Sequence, residues 1–313
     1  MNNLLGRGIL GLAGISLVVQ LIAGYYLVQR LESGFSATTV GVALVLELSS
    51  FLVLSLFSRE FYSRRGLKFS QLKITGLVLL GQGFSKLVPF GDYIAQRYYF
   101  GKKKLDKGVV FDYVITLYSF AILWLVGLFL ASQVVVTFLY PSEASDTFIG
   151  KFVYFPIGFT VLLLVIFLLR HNPKLKAGIQ KFCIKTFGRR GASPFRIVAQ
   201  NSKGKRRDLM MLLPLAVTWL LESLVFALCI YSFGINPPLI LVLYVYFFVK
   251  LFRFVPIFPA GIGQIETVAS VLFAAYGYPV LPVVAGSILF RLISYWLPVL
   301  LSVVSLRLLL RAR

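Results

Sequence analysis

Phe254-Val255-Pro256-Ile257-Phe258-Pro259-Ala260-Gly261-Ile262-Gly263-Gln264-Ile265-Glu266 interrupts an apolar run that extends from residue 239 to residue 277. Two prolines remove amide donors and disfavour helix at the residues before them. Two glycines then let the backbone turn. One crossing of a bilayer core takes about 20 residues, so a run of this length, broken near its middle, suits a hairpin better than a single span. The flanks agree. Upstream, 234–238 (GINPP) carries no charge; downstream, one further apolar segment leads to Arg307, Arg311 and Arg313. Positive charge marks the cytoplasmic side. With the tail inside and 234–238 outside, 239–277 must return to the face it left, as a re-entrant hairpin.

The rest of the chain supports a membrane reading. Its 313 residues have a mean hydropathy of +0.86; 58% are hydrophobic and only 14% charged, against about 25% charged in a soluble domain. A soluble enzyme and a nucleic-acid binder are thereby excluded as leading readings. The net charge of +21 falls between apolar segments, where it sets topology and attracts anionic headgroups. Those segments lie near 8–29, 38–58, 72–96, 110–138, 148–169, 209–233, 239–277 and 282–306. The stretch Ile9–Val28, behind Arg7, is too long for a signal-peptide core and reads as a retained first helix. Links 59–73, 97–107 and 171–208 are basic, whereas 139–147 holds Glu143 and Asp146 and no base. The expected fold is all-α: one polytopic helical domain over 1–313, in the inner membrane, with both termini cytoplasmic.

Segment 72–96 has basic flanks on both sides, so it too should enter and leave on one face. It is broken at Lys86-Leu87-Val88-Pro89-Phe90-Gly91-Asp92. Each broken segment follows a helix with an acid inside it, Glu47 or Glu222, lying 45 residues before Asp92 and 44 before Glu266. The pattern suggests two inverted repeats, about 38–138 and 209–310. Paired Gly/Pro-interrupted segments point to a transporter's binding site, because irregular backbone at membrane depth needs protein or a watery cavity around it. Two ordinary proline-kinked helices are the alternative.

The run Phe258-Pro259-Ala260-Gly261-Ile262-Gly263-Gln264-Ile265-Glu266, followed through Gly277 by Leu289-Phe290-Arg291 and Trp296-Leu297-Pro298, resembles the C-terminal signature of the lysylphosphatidylglycerol synthase transmembrane-region family, the flippase-like domain. Pro89-x-Gly91-Asp92 resembles that family's earlier hairpin element. The resemblance covers essentially the whole chain. The sequence departs from the pattern at Asp92, where Glu is usual, and at Phe111-Asp112, where a Glu-Arg pair is expected. No soluble aminoacyltransferase domain is expected beyond the last helix, so the resemblance implies a lipid-handling membrane domain rather than a complete synthase.

An ionisable group at bilayer depth costs on the order of 3 kcal/mol and needs a reason. Candidates for lipid binding or transport are Lys86, Asp92, Arg97, Lys250, Arg253, Gly261, Gly263, Glu266 and Arg291. Lys250 and Arg253, at i and i+3, share a helix face and could clamp an anion, with Gly261 and Gly263 letting amides at a helix start approach a phosphate. Internal pairing is the competing use: Glu266 or Asp112 with Arg291. We expect Glu266 and Arg291 to lie together, with Arg253 facing the same cavity. Glu47 and Glu222, beside Ser49 and Ser223, fit protonated carboxyls hydrogen-bonded between helices.

Leu175, Ile179, Phe182, Cys183 and Phe187, ringed by Lys174, Lys176, Lys181, Lys185 and Arg189, form a basic amphipathic pattern. It suits an anionic leaflet or a soluble partner docking on loop 171–208. Cys183 and Cys229 make no disulfide framework, His171 is expected at a helix exit, and no cofactor or metal is expected. Catalytic elbows, nucleotide loops and paired acids for a sugar-nucleotide metal are all missing from the sequence. The leading reading is a lipid translocase for an anionic phospholipid or polyprenyl-phosphate-linked lipid; the alternative is the membrane subunit of a lipid aminoacyl- or glycosyl-transferase. A scaffold acting through 171–208 is a third reading, and a homo-oligomer is left open.

Overall fold

The structure, a computed structural model, describes residues 17–26, 29, 36–67, 69–87, 91–101, 107–140, 205–252 and 263–311. The described residues are almost entirely helical, with no strand among them. The helices are α1 (Leu17–Tyr26), α2 (Ala37–Ser63), α3 (Gln71–Leu87), α4 (Gly91–Gly101), α5 (Lys107–Leu139), α6 (Lys205–Tyr231), α7 (Leu239–Phe252), α8 (Gln264–Ala275), α9 (Val280–Arg291) and α10 (Leu297–Arg311). A π-helical turn, Leu292–Trp296, joins α9 to α10 without ending the rod. Spans Ala37–Ser63, Thr116–Leu139, Leu213–Tyr231 and Val280–Leu309 are long and apolar enough to cross a bilayer.

Helix α2 shows how such a sequence chooses its faces. Val45, Leu48, Leu52 and Leu56 are exposed at helical spacing, while Glu47, Ser50, Leu54 and Ser58 are buried. The polar residues therefore lie inside and the aliphatic ones face outward, the arrangement that lipid favours over water. The serines add no orphaned hydroxyls. Ser49, Ser50 and Ser58 donate to the carbonyls of Val45, Glu47 and Leu54 one turn back, which keeps their polarity within the helix.

Two cores follow. In one, the ring of Tyr62 on α2 stacks on Tyr113 of α5 with centroids 5.1 Å apart, and its hydroxyl donates to Gln96 Oε1 on α4 at 2.6 Å. In the other, Phe129 of α5 packs on Tyr244 and Phe248 of α7. Helix α5 thus belongs to both cores, through residues 110–117 and 125–136.

The described parts of α3 and α7 end at Leu87 and Phe252; the breaks expected at 88–90 and beyond 252 lie outside the described residues. Helix α4 folds back on α3: Gly81 faces Asp92 and Gln96, and Gly91 faces Phe84. Helices α7 and α8 meet end to end, with the Gln264 Nε2 donating to the Phe252 carbonyl at 2.8 Å. The helix pairings of α2–α5 repeat in α6–α10. Helix α3 packs on α2, α4 and α10; correspondingly, α7 packs on α6, α8 and α5. Helices α2 and α6 pair with one another and run antiparallel, since the Ser36 amide donates to the Ser232 carbonyl while Leu54 and Leu215 line one cavity at the other end.

Close packing replaces the hydrophobic effect between helices in lipid, and Gly83 sets the distance between α3 and α10. A β-carbon there would fall 2.3 Å from Ser302 Cβ and 2.6 Å from the Pro298 carbonyl oxygen. Gly83→Ala should therefore destabilise the fold by about 1–3 kcal/mol through overpacking. Thermal unfolding in detergent measures it, and an unchanged midpoint would refute the contact.

Candidate functional site

Helices α2, α3, α5, α6 and α7 enclose a cavity of about 260 Å³. One end is polar, walled by Lys86, Glu222 and Lys250 with Gln82, Ser85 and Trp219; Leu54, Leu117 and Leu215 line it further along. Leu215 lies seven residues from Glu222, about 10 Å along the helix, so the space is amphipathic over the length of a headgroup and its first chain carbons.

Lys250 is the best-defined wall. Its Nζ lies 2.6 Å from Glu222 Oε2, and Tyr246 donates its hydroxyl to the same oxygen at 2.9 Å. The ammonium also sits 5.2–5.6 Å from the ring centroids of Tyr246, Trp219 and Phe290, a range in which ring quadrupoles attract a cation. This corrects the expectation for Glu222. Lys250 is held by Glu222, and the proposed clamp partner Arg253 lies outside the described residues. Glu222 is ion-paired rather than bonded to Ser223, whose hydroxyl goes to the Leu220 carbonyl; Ser49 likewise leaves Glu47 and bonds Val45.

The missed pair had a signal. Glu222 stands 14 residues before Asn236 and Lys250 14 after it, so a tight antiparallel turn at 232–238 sets them level. Glu47 and Lys86 are similarly equidistant from the turn at Gly66–Leu67. Residues equally far from a short turn face each other across antiparallel helices, whatever their separation in sequence.

A second pair lies nearby. Arg291 Nη1 is 3.1 and 3.3 Å from the two Glu266 oxygens, with Arg291 only 1% exposed. The expected partnership of these residues is present. The guanidinium stands over the Tyr295 ring, and Tyr295 donates its hydroxyl to the Lys86 carbonyl at 2.7 Å. The first turn of α8 is thus connected through the π turn to the broken end of α3.

The remaining candidates disperse. Asp92 is buried and accepts the Tyr93 amide at 2.8 Å, and does not line the cavity. Arg97 is exposed on α4, over the Tyr93 ring. Gly263 precedes α8 with φ +76°, a left-handed conformation that strains any residue with a β-carbon. Gly261, Pro89 and the amphipathic pattern of 174–189 lie outside the described residues.

Residues 8–302 match the lysylphosphatidylglycerol synthase transmembrane region. The chain belongs to the lysylphosphatidylglycerol synthase transmembrane-region family. No curated protein matches it. Membership of the lysylphosphatidylglycerol synthase transmembrane-region family makes this a lipid-related membrane protein, and the cavity brings the buried charges of Lys86, Glu222 and Lys250 together.

Proposed function

We propose that the protein is a lipid translocase of the flippase type. It moves an anionic phospholipid or a polyprenyl-phosphate-linked lipid across the cytoplasmic membrane, with both of its termini on the cytoplasmic side. The single observation that carries this reading is the amphipathic cavity, whose wall bears two lysines, Lys86 and Lys250, against one carboxylate, Glu222. A phosphodiester crossing hydrocarbon would otherwise bear several kcal/mol of desolvation; fixed ammonium groups at the same depth offset it. The matched pairings of α2–α5 and α6–α10 support two inverted halves that rock about this site, the arrangement on which alternating access is built.

The test is a dithionite-quenching assay in liposomes. Purified protein should speed inward exposure of fluorescent phosphatidylglycerol at least tenfold over empty liposomes, and Lys86→Gln should remove most of that gain. Rates equal to empty liposomes for phosphatidylglycerol and polyprenyl phosphate alike would end this reading. The family's description favours one competitor, the membrane subunit of a lipid aminoacyl- or glycosyl-transferase. A changed headgroup composition in lipid extracts of producing cells would favour that competitor.

A further inference from the structure

Glu47 is the buried acid that the cavity does not use. It is 1% exposed, its Oε2 has no hydrogen-bond partner among the described residues, and Ser50, three residues on, donates to the Glu47 backbone carbonyl. The antiparallel run of α2 and α6 brings it into electrostatic reach of Glu222 on α6, Lys86 on α3 and Lys250 on α7. Cys229 on α6 is also within its electrostatic reach. From the π turn against α2, the titratable Tyr295 is engaged with the Lys86 carbonyl, and Arg291 before the turn with Glu266.

The charges decide what this group can do. Lys86 and Lys250 balance Glu47 and Glu222, so with all four ionised the cluster is neutral and an entering monoanion leaves it at −1. With one proton on a carboxylate, the cluster is +1 and a single phosphodiester neutralises it. Glu222 already holds Lys250 and Tyr246 through Oε2, whereas Glu47 Oε2 receives no donor among the described residues. An unbalanced charge in this dry setting is costly, so proton and anion should enter together.

We propose that Glu47 binds the proton that accompanies a monoanionic phosphate group into the cavity, so that lipid and proton cross as a neutral pair. This rests on the translocase reading and supplies its driving force. The step is an acid–base one: the carboxylate takes a proton from hydronium, one O–H bond breaking there to leave water as one forms on the carboxylate, and it returns that proton to water on the far side. Linkage requires reciprocity. Binding of the anion takes up one proton, and its affinity falls up to tenfold per pH unit where Glu47 is ionised in the empty protein.

Isothermal titration of the purified protein with dihexanoyl-phosphatidylglycerol, in buffers of different ionisation enthalpy between pH 6 and 8, counts the protons. Glycerol 3-phosphate runs in parallel to separate a lipid from a free phosphate ester. At the alkaline end, where the empty protein's Glu47 is ionised, wild type should take up close to one proton per lipid, with uptake fading as the pH falls; Glu47→Gln should bind with none and without pH dependence. If Glu47→Gln does not fold, Glu47→Leu, apolar and of similar volume, replaces it. Lipid binding without proton uptake in wild type, or equal uptake in the Glu47 variant, overturns the inference and leaves the translocase reading standing. No binding of either probe at any pH overturns the translocase reading itself.

Discussion

Arg291→Ala will destabilise the protein by about 3–5 kcal/mol, the cost of leaving the other member of a buried pair without its counter-charge. The guanidinium is almost wholly enclosed, and Glu266, on the first turn of α8, receives both of its carboxylate contacts from Arg291 Nη1. Removing the arginine also takes a planar cation off the Tyr295 ring. Arg291→Lys keeps the charge but not the planar guanidinium over the Tyr295 ring and should recover less than half of the loss. Thermal unfolding in detergent or nanodiscs reads both variants. A midpoint for Arg291→Ala within error of wild type would mean that Glu266 finds its stabilisation elsewhere.

The Lys250–Glu222 pair should separate folding from transport. Lys250→Met alone removes the ammonium 2.6 Å from Glu222 Oε2 and leaves the carboxylate with the Tyr246 hydroxyl, at a comparable cost of about 3–5 kcal/mol. Replacing both, Lys250→Met with Glu222→Gln, removes the stranded charge and should regain most of that stability, since buried pairs exchanged together for neutral groups are often close to neutral. Lipid flipping should not return in the double variant, because the cavity wall has lost one of its two ammonium groups. The double-mutant cycle therefore gives a large coupling energy in unfolding and none in activity. Recovered flipping in the double variant would remove Lys250 from the ligand's path.

How much of this was readable beforehand depended on what each residue's neighbours along the chain could reveal. Interruptions at Pro89, Pro256 and Pro259 can be read from the sequence because proline and glycine act locally, though those residues lie outside the described ones. The Arg291–Glu266 pair was legible because an arginine and a glutamate in otherwise apolar helices have few places to go. The Glu222 partner of Lys250 was missed because sequence reading looks along one helix. Arg253 is three residues away, whereas Glu222 is 28 residues away on another helix, and proximity across a turn outweighs proximity along a helix. Glu47 illustrates the opposite difficulty. Its sequence context, with Ser49 and Ser50 close by, suggested ready hydrogen-bond partners, yet both hydroxyls satisfy carbonyls of their own helix.

The π turn at Leu292–Trp296 has a consequence for the register of everything after it. An extra residue in a helix advances the side chains beyond it by about 100°. Gly286 before the turn packs against Cys229 and Ile230 of α6, while Ser302 beyond it packs against Gly83 of α3; one rod thereby serves two neighbours on different sides. Deleting a single residue within 292–296 would wind the turn back to ordinary α-helix and swing α10 through that angle. Val303 and Val304, now exposed, would move around the rod while Ser302 left Gly83. Homologous chains can therefore vary freely in what they place on the outward face of this rod, but not in the number of residues between Gly286 and Ser302.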